Sequence, residues 1–143
     1  MEAHLKELAI NRCVASRASL TPNRLEILVT LLQFSKPMSA YELQESIAEK
    51  HRNLNISTIY RVIDFWCGIG VVHKIASLNK FCVCADLEET HTHIMNVCLK
   101  CENVFETCNE RMGIDLSKGP ESMGLTFARE QHIELPVLCG ECN

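Results

Sequence analysis

Asn55-Ile56-Ser57-Thr58-Ile59-Tyr60-Arg61-Val62-Ile63-Asp64-Phe65-Trp66-Cys67-Gly68, running on into Ile69-Gly70-Val71-Val72-His73-Lys74-Ile75, decides the first half of this chain. Ile56, Ile59, Ile63 and Trp66 recur at helical spacing, so one face of the run is apolar. Asn55 or Ser57 can cap its start, and Gly68 and Gly70 end it. The period then changes. Residues 71–75 and 80–84 are β-prone runs on either side of Ala76-Ser77-Leu78-Asn79, the pattern of a hairpin.

Upstream, Ser39-Ala40-Tyr41-Glu42 is a capping box that opens another helix, with Leu43 and Ile47 facing inward. Before it, Thr21 caps a helix with Pro22 in its first position. Leu25, Leu28 and Leu31 or Leu32 give that helix its buried stripe, and Lys36-Pro37 stops it. Leu5, Leu8, Ala9 and Cys13 make a shorter amphipathic pattern at the front. Two short helices joined by a small turn have helix-turn-helix geometry, and a hairpin after the second is a wing. The order of elements therefore predicts a winged helix-turn-helix domain over residues 1–85. Helical hairpins without any DNA function are common, so the pattern alone leaves DNA binding open. On the candidate reading helix, Ser57, Thr58 and the first-turn amides can bond phosphate oxygens, and Arg61 can make a bidentate contact to a guanine edge. Tyr60 beside Ile59 and Ile63 suits core packing equally well.

Downstream lie two Cys-X-X-Cys pairs, Cys98/Cys101 and Cys139/Cys142, with 37 residues between them. One pair could be a redox dithiol. Two in one short chain match the four-thiolate tetrahedron of structural zinc. Thr90-His91-Thr92-His93 adds imidazoles just before the first pair. A disulfide scaffold is disfavoured, because no apolar signal peptide opens the chain.

With 143 residues, 47% of them hydrophobic, the chain can form one ordinary domain or two small ones. No apolar run approaches the roughly 20 residues of a membrane-spanning helix, so the expectation is a soluble, cytoplasmic protein without a membrane partner. The net charge of −4 divides unevenly, +3 over residues 1–84 and −7 over residues 85–143. A basic front and an acidic, thiol-bearing back fit a polyanion and cations respectively, although +3 is ordinary for any domain.

Leu20-Thr21-Pro22-Asn23-Arg24, Ser39-Ala40-Tyr41-Glu42-Leu43 and Ser57-Thr58-Ile59-Tyr60-Arg61-Val62-Ile63-Asp64-Phe65 resemble the ferric-uptake-regulator family of bacterial repressors. The resemblance continues through Val72-His73-Lys74, His91/His93 and both Cys pairs. Gly70-Val71-Val72-His73-Lys74-Ile75 and Cys84 are most similar to its zinc-uptake-regulator branch. It implies an α+β homodimer, with a small α/β dimerisation domain over residues 86–143 and a hinge near residues 86–90. In that domain it implies strands near residues 94–98, 103–106 and 125–135. A helix would span residues 108–116, broken off by Lys118-Gly119-Pro120. Tyr41, Ser57, Thr58, Tyr60 and Arg61 would meet double-stranded operator DNA.

The resemblance also implies two zinc ions per subunit. Cys98, Cys101, Cys139 and Cys142 would hold the structural one. His73, Cys84, His91 and Glu106 would hold a regulatory one. Alone, His73, Cys84 and Glu106 each have a plainer reading: a surface histidine, a buried small hydrophobe and an exposed strand carboxylate. A thiolate among imidazole and carboxylate ligands favours zinc over ferrous iron, which suits harder donors and more coordination positions. Cys82, sharing a strand face with Cys84, is the rival ligand, and His93 and His132 are spare donors. Glu102 stands where the family often has Gly after the first Cys pair. Thr90 and Thr92 flank the histidines and Gly113 lies near the expected acidic position, so a third site is not expected. The expected function is a zinc-responsive repressor of metal-uptake genes, with zinc as corepressor. An iron- or peroxide-sensing repressor of the same family is the nearest alternative, and a thiol-disulfide redox protein a remote one. A redox dithiol sits at a helix start after a strand in a βαβ pattern, the reverse of the order here. No catalytic triad or Gly-rich phosphate motif supports an enzyme or a small organic substrate.

Overall fold

The computed structural model describes residues 1–50, 52–88, 92–116, 118–126 and 132–143. The chain divides into two compact units, Met1–Glu88 and Glu89–Asn143. The architecture is α+β. In the first unit α1 (Glu2–Ala15), α2 (Pro22–Gln33), α3 (Ala40–Glu49) and α4 (Ile56–Gly68) precede a hairpin of β1 (Val72–Ile75) and β2 (Lys80–Val83). No described helix is long and apolar enough to cross a membrane.

The helix starts follow the local chemistry. The Thr21 hydroxyl accepts from the Arg24 amide, and Ser39 and Glu42 exchange side-chain and backbone bonds in the capping box. Asn55, not Ser57, caps α4: its Oδ1 accepts from the Thr58 amide at 2.8 Å. Each such cap is worth about 1 kcal/mol. The inward faces of the four helices meet in one core, with Ile27, Leu28, Leu43, Ile47, Ile63 and Trp66 fully shielded from water. Burying one aliphatic side chain of this size contributes about 1.5–3 kcal/mol. Trp66 also fixes α4 against α2, since its indole N–H donates to the Arg24 carbonyl at 3.1 Å and the Arg24 guanidinium lies over Phe65. The β1–β2 turn closes at Asn79, which takes a left-handed φ of 51°. The register pairs His73 with Cys82 and Val72 with Val83. Met38, just before α3, bridges to Phe81 of β2.

The second unit holds a three-stranded mixed sheet in the order β4–β3–β5. β3 (His93–Cys98) pairs antiparallel with β4 (Val104–Cys108) and parallel with β5 (His132–Val137), and the short α5 (Lys118–Ser122) lies in the crossover. A parallel neighbour needs such a crossover, whereas β4 follows β3 through a tight turn. Pro136 sits in β5, an edge strand, where a missing N–H costs no ladder bond.

Three expectations for this unit need correction. The helix expected over residues 108–116 does not form. Cys108 is the last residue of β4, opposite His93, and residues 109–113 only turn. Gly113 at φ 65° ends that turn, and the Ile114 amide returns to the Asn109 carbonyl at 2.9 Å. Conversely, Lys118-Gly119-Pro120 opens α5 instead of breaking a helix. A proline in a first turn sacrifices no intrahelical bond. The strand expected over residues 125–135 begins, among the described residues, at His132; residues 127–131 lie outside them.

Candidate metal centres and nucleic-acid interface

Within the second unit the two Cys pairs come together. The donor sulfurs of Cys98, Cys101, Cys139 and Cys142 all lie within 4.8 Å of one another. Cys98 ends β3, and Cys101 lies in the turn that leads into β4. Cys139 and Cys142 follow β5, which runs parallel to β3 and so delivers the second pair to the same end of the sheet. The Leu99 amide donates to the Val137 carbonyl at 3.0 Å, which holds the two pairs in register. Cys101 Sγ and Cys139 Sγ are 3.8 Å apart. A disulfide requires about 2.05 Å, and a tetrahedron with zinc–sulfur bonds of about 2.3 Å has sulfur–sulfur edges of about 3.8 Å. The quartet therefore fits a zinc ion and not a pair of disulfides. Four protein donors leave no open position, so such a centre braces the fold.

Glu102, the residue after this turn, takes a left-handed φ of 61°. A side chain there costs roughly 1–2 kcal/mol. This is the physical reason glycine suits the position.

The quartet divides its protons unevenly. Backbone N–H groups of Cys101, Cys139 and Lys100 stabilise the Cys98 thiolate and pull its pKa down to about 6. The neighbouring thiols of Cys139 and Cys101 push Cys142 up to about 12. Near neutral pH Cys98 is thus thiolate while Cys142 keeps its proton, and zinc must expel that proton to bind. Zinc added to metal-free protein at pH 8 should release protons, read with an indicator dye in weak buffer. Because Cys142 stays protonated until about pH 12 in the metal-free quartet, protons compete with zinc more strongly as pH falls, and zinc retention against a chelator should weaken from pH 9 towards 6.

In the first unit His73 on β1 and Cys84 just past β2 are both buried. The Cys84 amide donates to the Val71 carbonyl at 2.8 Å, and its thiol donates to the Asp86 carbonyl at 3.0 Å. Cys82 lies opposite His73 across the hairpin and is less buried than Cys84. In the second unit His93 opens β3, and its Nδ1 lies 2.8 Å from Glu106 Oε1 of β4, both side chains less than a tenth exposed. A proton on Nδ1 facing the carboxylate puts the imidazole lone pair on Nε2, the arrangement that orients metal-binding histidines. The reading of His93 as spare missed this partnership. The strand register could have found it, because Glu106 lies two residues before Cys108, the partner of His93. His91 lies outside the described residues.

Cys67 on α4 is partly buried against the core. Burial, then the Asp64 carboxylate, push its thiol up to about 11, with Lys74 working in the other direction.

On α4, Ser57 and Arg61 are exposed. Tyr60 is partly buried against the core, which favours packing for its ring. The Thr58 amide and the Ser57 hydroxyl are both engaged by Asn55, so the cap already uses two groups expected to meet phosphate. Tyr41, at the start of α3, is 65% exposed. On the hairpin Lys74 is exposed, while Lys80 pairs with Glu42 at 3.4 Å.

Fold and centre together define a metal-binding α+β protein with a helical unit and a thiolate-braced sheet. The chain belongs to the ferric uptake regulator family, whose model matches residues 16–130. It is 33% identical over 131 residues to the zinc uptake regulation protein of Escherichia coli (strain K12), covering 91% of this chain and 76% of that protein. A solved zinc uptake regulator complexed with zinc and DNA superposes with a TM-score of 0.85 at 31% identity, covering 99% of this chain and 95% of the other. The crystal structure of holo XcZur gives a TM-score of 0.81 at 26% identity, over 99% of this chain and 98% of the other.

Proposed function

We propose that this protein is a zinc-responsive, DNA-binding transcriptional repressor of metal-uptake genes, with zinc as corepressor. The observation that carries the reading is the thiol at Cys84, buried beside the wing strands that bear His73, in a chain similar to a regulator solved with zinc and DNA. The first unit is the winged helix-turn-helix domain: α3 and α4 are its two helices and β1–β2 its wing. Tyr41, Ser57, Thr58, Tyr60 and Arg61 meet duplex operator DNA, with Arg61 as the base reader. The second unit dimerises the chain. Phe105, Met112 and Ile114 leave a large part of their apolar surface exposed, which a second copy would cover.

Two zinc ions per subunit are expected. Cys98, Cys101, Cys139 and Cys142 hold the structural ion. His73 and Cys84 supply two regulatory donors, and Glu106 with an imidazole supplies the rest. The resemblance names His91 for that imidazole; the ion pair with Glu106 makes His93 the second candidate. Neither unit alone offers four donors of this set, so regulatory zinc biases the relation between the reading unit and the dimerisation unit, as a population shift requires. The thiolate favours zinc over iron.

The test is operator binding with free zinc and free ferrous iron buffered separately, on wild type and Cys84→Ser. Zinc-dependent binding by wild type, lost in Cys84→Ser with fold and dimer intact, is expected. Iron-dependent binding indifferent to Cys84 would return the protein to the iron-sensing alternative. Mild chelation should leave about one zinc per chain, since the closed thiolate centre holds its ion longest.

A further inference from the structure

We propose that Arg12 of α1 is a positioning residue for Cys84, holding in place the two backbone segments that present its thiol to metal. Cys84 is supported from two sides: its amide donates to the Val71 carbonyl and its thiol to the Asp86 carbonyl. The half-buried Arg12 guanidinium grips the neighbour of each support. Nη1 donates to the Gly70 carbonyl at 3.3 Å, and Nη2 donates to the Leu87 carbonyl. One planar, always-charged group thus ties the entry to the hairpin and its exit to the same helix. Its fork carries two separate nitrogens in fixed directions, one for each carbonyl, whereas an ammonium has a single nitrogen. The approach is close. Gly70 has a φ of 76°, and a Cβ there would stand 3.2 Å from Arg12 Nη1. The same helix also reaches the exit segment through His4, 3.2 Å from Glu88.

The clamp matters most when metal is bound. The Cys84 thiol holds its own loop by donating a proton to Asp86. Binding zinc replaces that proton, which leaves to solvent, and a thiolate cannot donate. Arg12, on the adjacent Leu87 carbonyl, keeps its hold on the Asp86–Leu87 segment. Groups that hydrogen-bond a ligand directly set metal affinity by about 10- to 100-fold, and Arg12, acting one residue further back, is expected at the lower end of that range. α1 is thereby part of the zinc-sensing apparatus, although it carries no ligand. This inference rests on the reading of Cys84 as a zinc ligand.

The experiment uses the full-length protein with its four-thiolate centre filled by zinc, titrated with cobalt(II) as an optical probe. A thiolate on cobalt gives a near-ultraviolet charge-transfer band, and zinc at the structural centre is silent. Arg12→Gln should weaken cobalt binding about tenfold and reduce the band, with one zinc per chain retained. Arg12→Lys, able to reach one carbonyl, should fall between Arg12→Gln and wild type. Cys84→Ser should abolish the band. Wild-type affinity and band in Arg12→Gln, with the band lost in Cys84→Ser, would overturn the role of Arg12 and leave the Cys84 reading standing. A band that survives Cys84→Ser would overturn both. Should Arg12→Gln fail to fold, Arg12→Lys decides alone, and wild-type behaviour there overturns the proposal.

Discussion

Cys101→Ser should cost the protein its second unit. The described buried apolar residues of that unit are few: Ile94, Met95, Val97, Cys98 and Cys108. So small a core cannot hold a fold by burial alone, and domains of this size lean on metals or disulfides. A structural zinc in a peptide of comparable role contributes about 10–16 kcal/mol at pH 7. Serine removes one corner of the tetrahedron, and with it the 3.8 Å contact between the Cys101 and Cys139 sulfurs. With the metal go the ties that fasten the end of the chain, such as Lys100 Nζ to the Cys142 carbonyl at 3.1 Å. The expected result is loss of bound zinc, loss of a cooperative melting transition for the second unit, and a monomer by sedimentation. The first unit has its own core and should keep its helical circular dichroism. A variant that melts like wild type and retains zinc would mean the quartet does not brace the fold.

Arg61→Ala should weaken operator binding by about 1–3 kcal/mol, the cost of losing a bidentate base contact. Arg61 is exposed on α4, nearly two turns beyond the Asn55 cap, while Val62, Ile63 and Trp66 beside it face the core. Its removal should leave folding, zinc content and dimerisation unchanged. The comparison is between an operator selected from a random duplex library in zinc and a scrambled duplex, both at one salt concentration. A loss confined to the operator identifies a base reader, and an equal loss on both makes Arg61 a phosphate contact. No loss on either removes α4 from the reading position. Lys74→Ala should lower affinity on both duplexes and flatten its salt dependence. Lys80→Ala should do so less, because Lys80 is held by Glu42.

Much of the first unit was legible along the chain, because its signals are local. The Ser39/Glu42 box, Pro22 at a first position and the spacing of Ile59, Ile63 and Trp66 each act within a turn or two of helix. Residues 108–116 were not legible. The helix expected there rested on the family resemblance and on no local signal, and Cys108 is claimed by a strand partner fifteen residues earlier, His93. The role of Tyr60 was open for a related reason. A helix places it near both the apolar stripe and the exposed face, and only the tertiary structure shows it partly buried against the core.

What this sequence determined by itself was its inventory of chemistry: four thiols in two pairs, two further thiols and a histidine on the hairpin, and an arginine on a capped helix. Spacing sufficed because a Cys-X-X-Cys turn sets its own geometry. Only the tertiary structure decided which groups meet. It brought Cys101 to Cys139 across an intervening strand, turn and helix, set His93 against Glu106, and laid Arg12 across both carbonyls flanking the supports of Cys84. These contacts join residues 13 to 75 positions apart, and no local rule of helix or turn reaches that far.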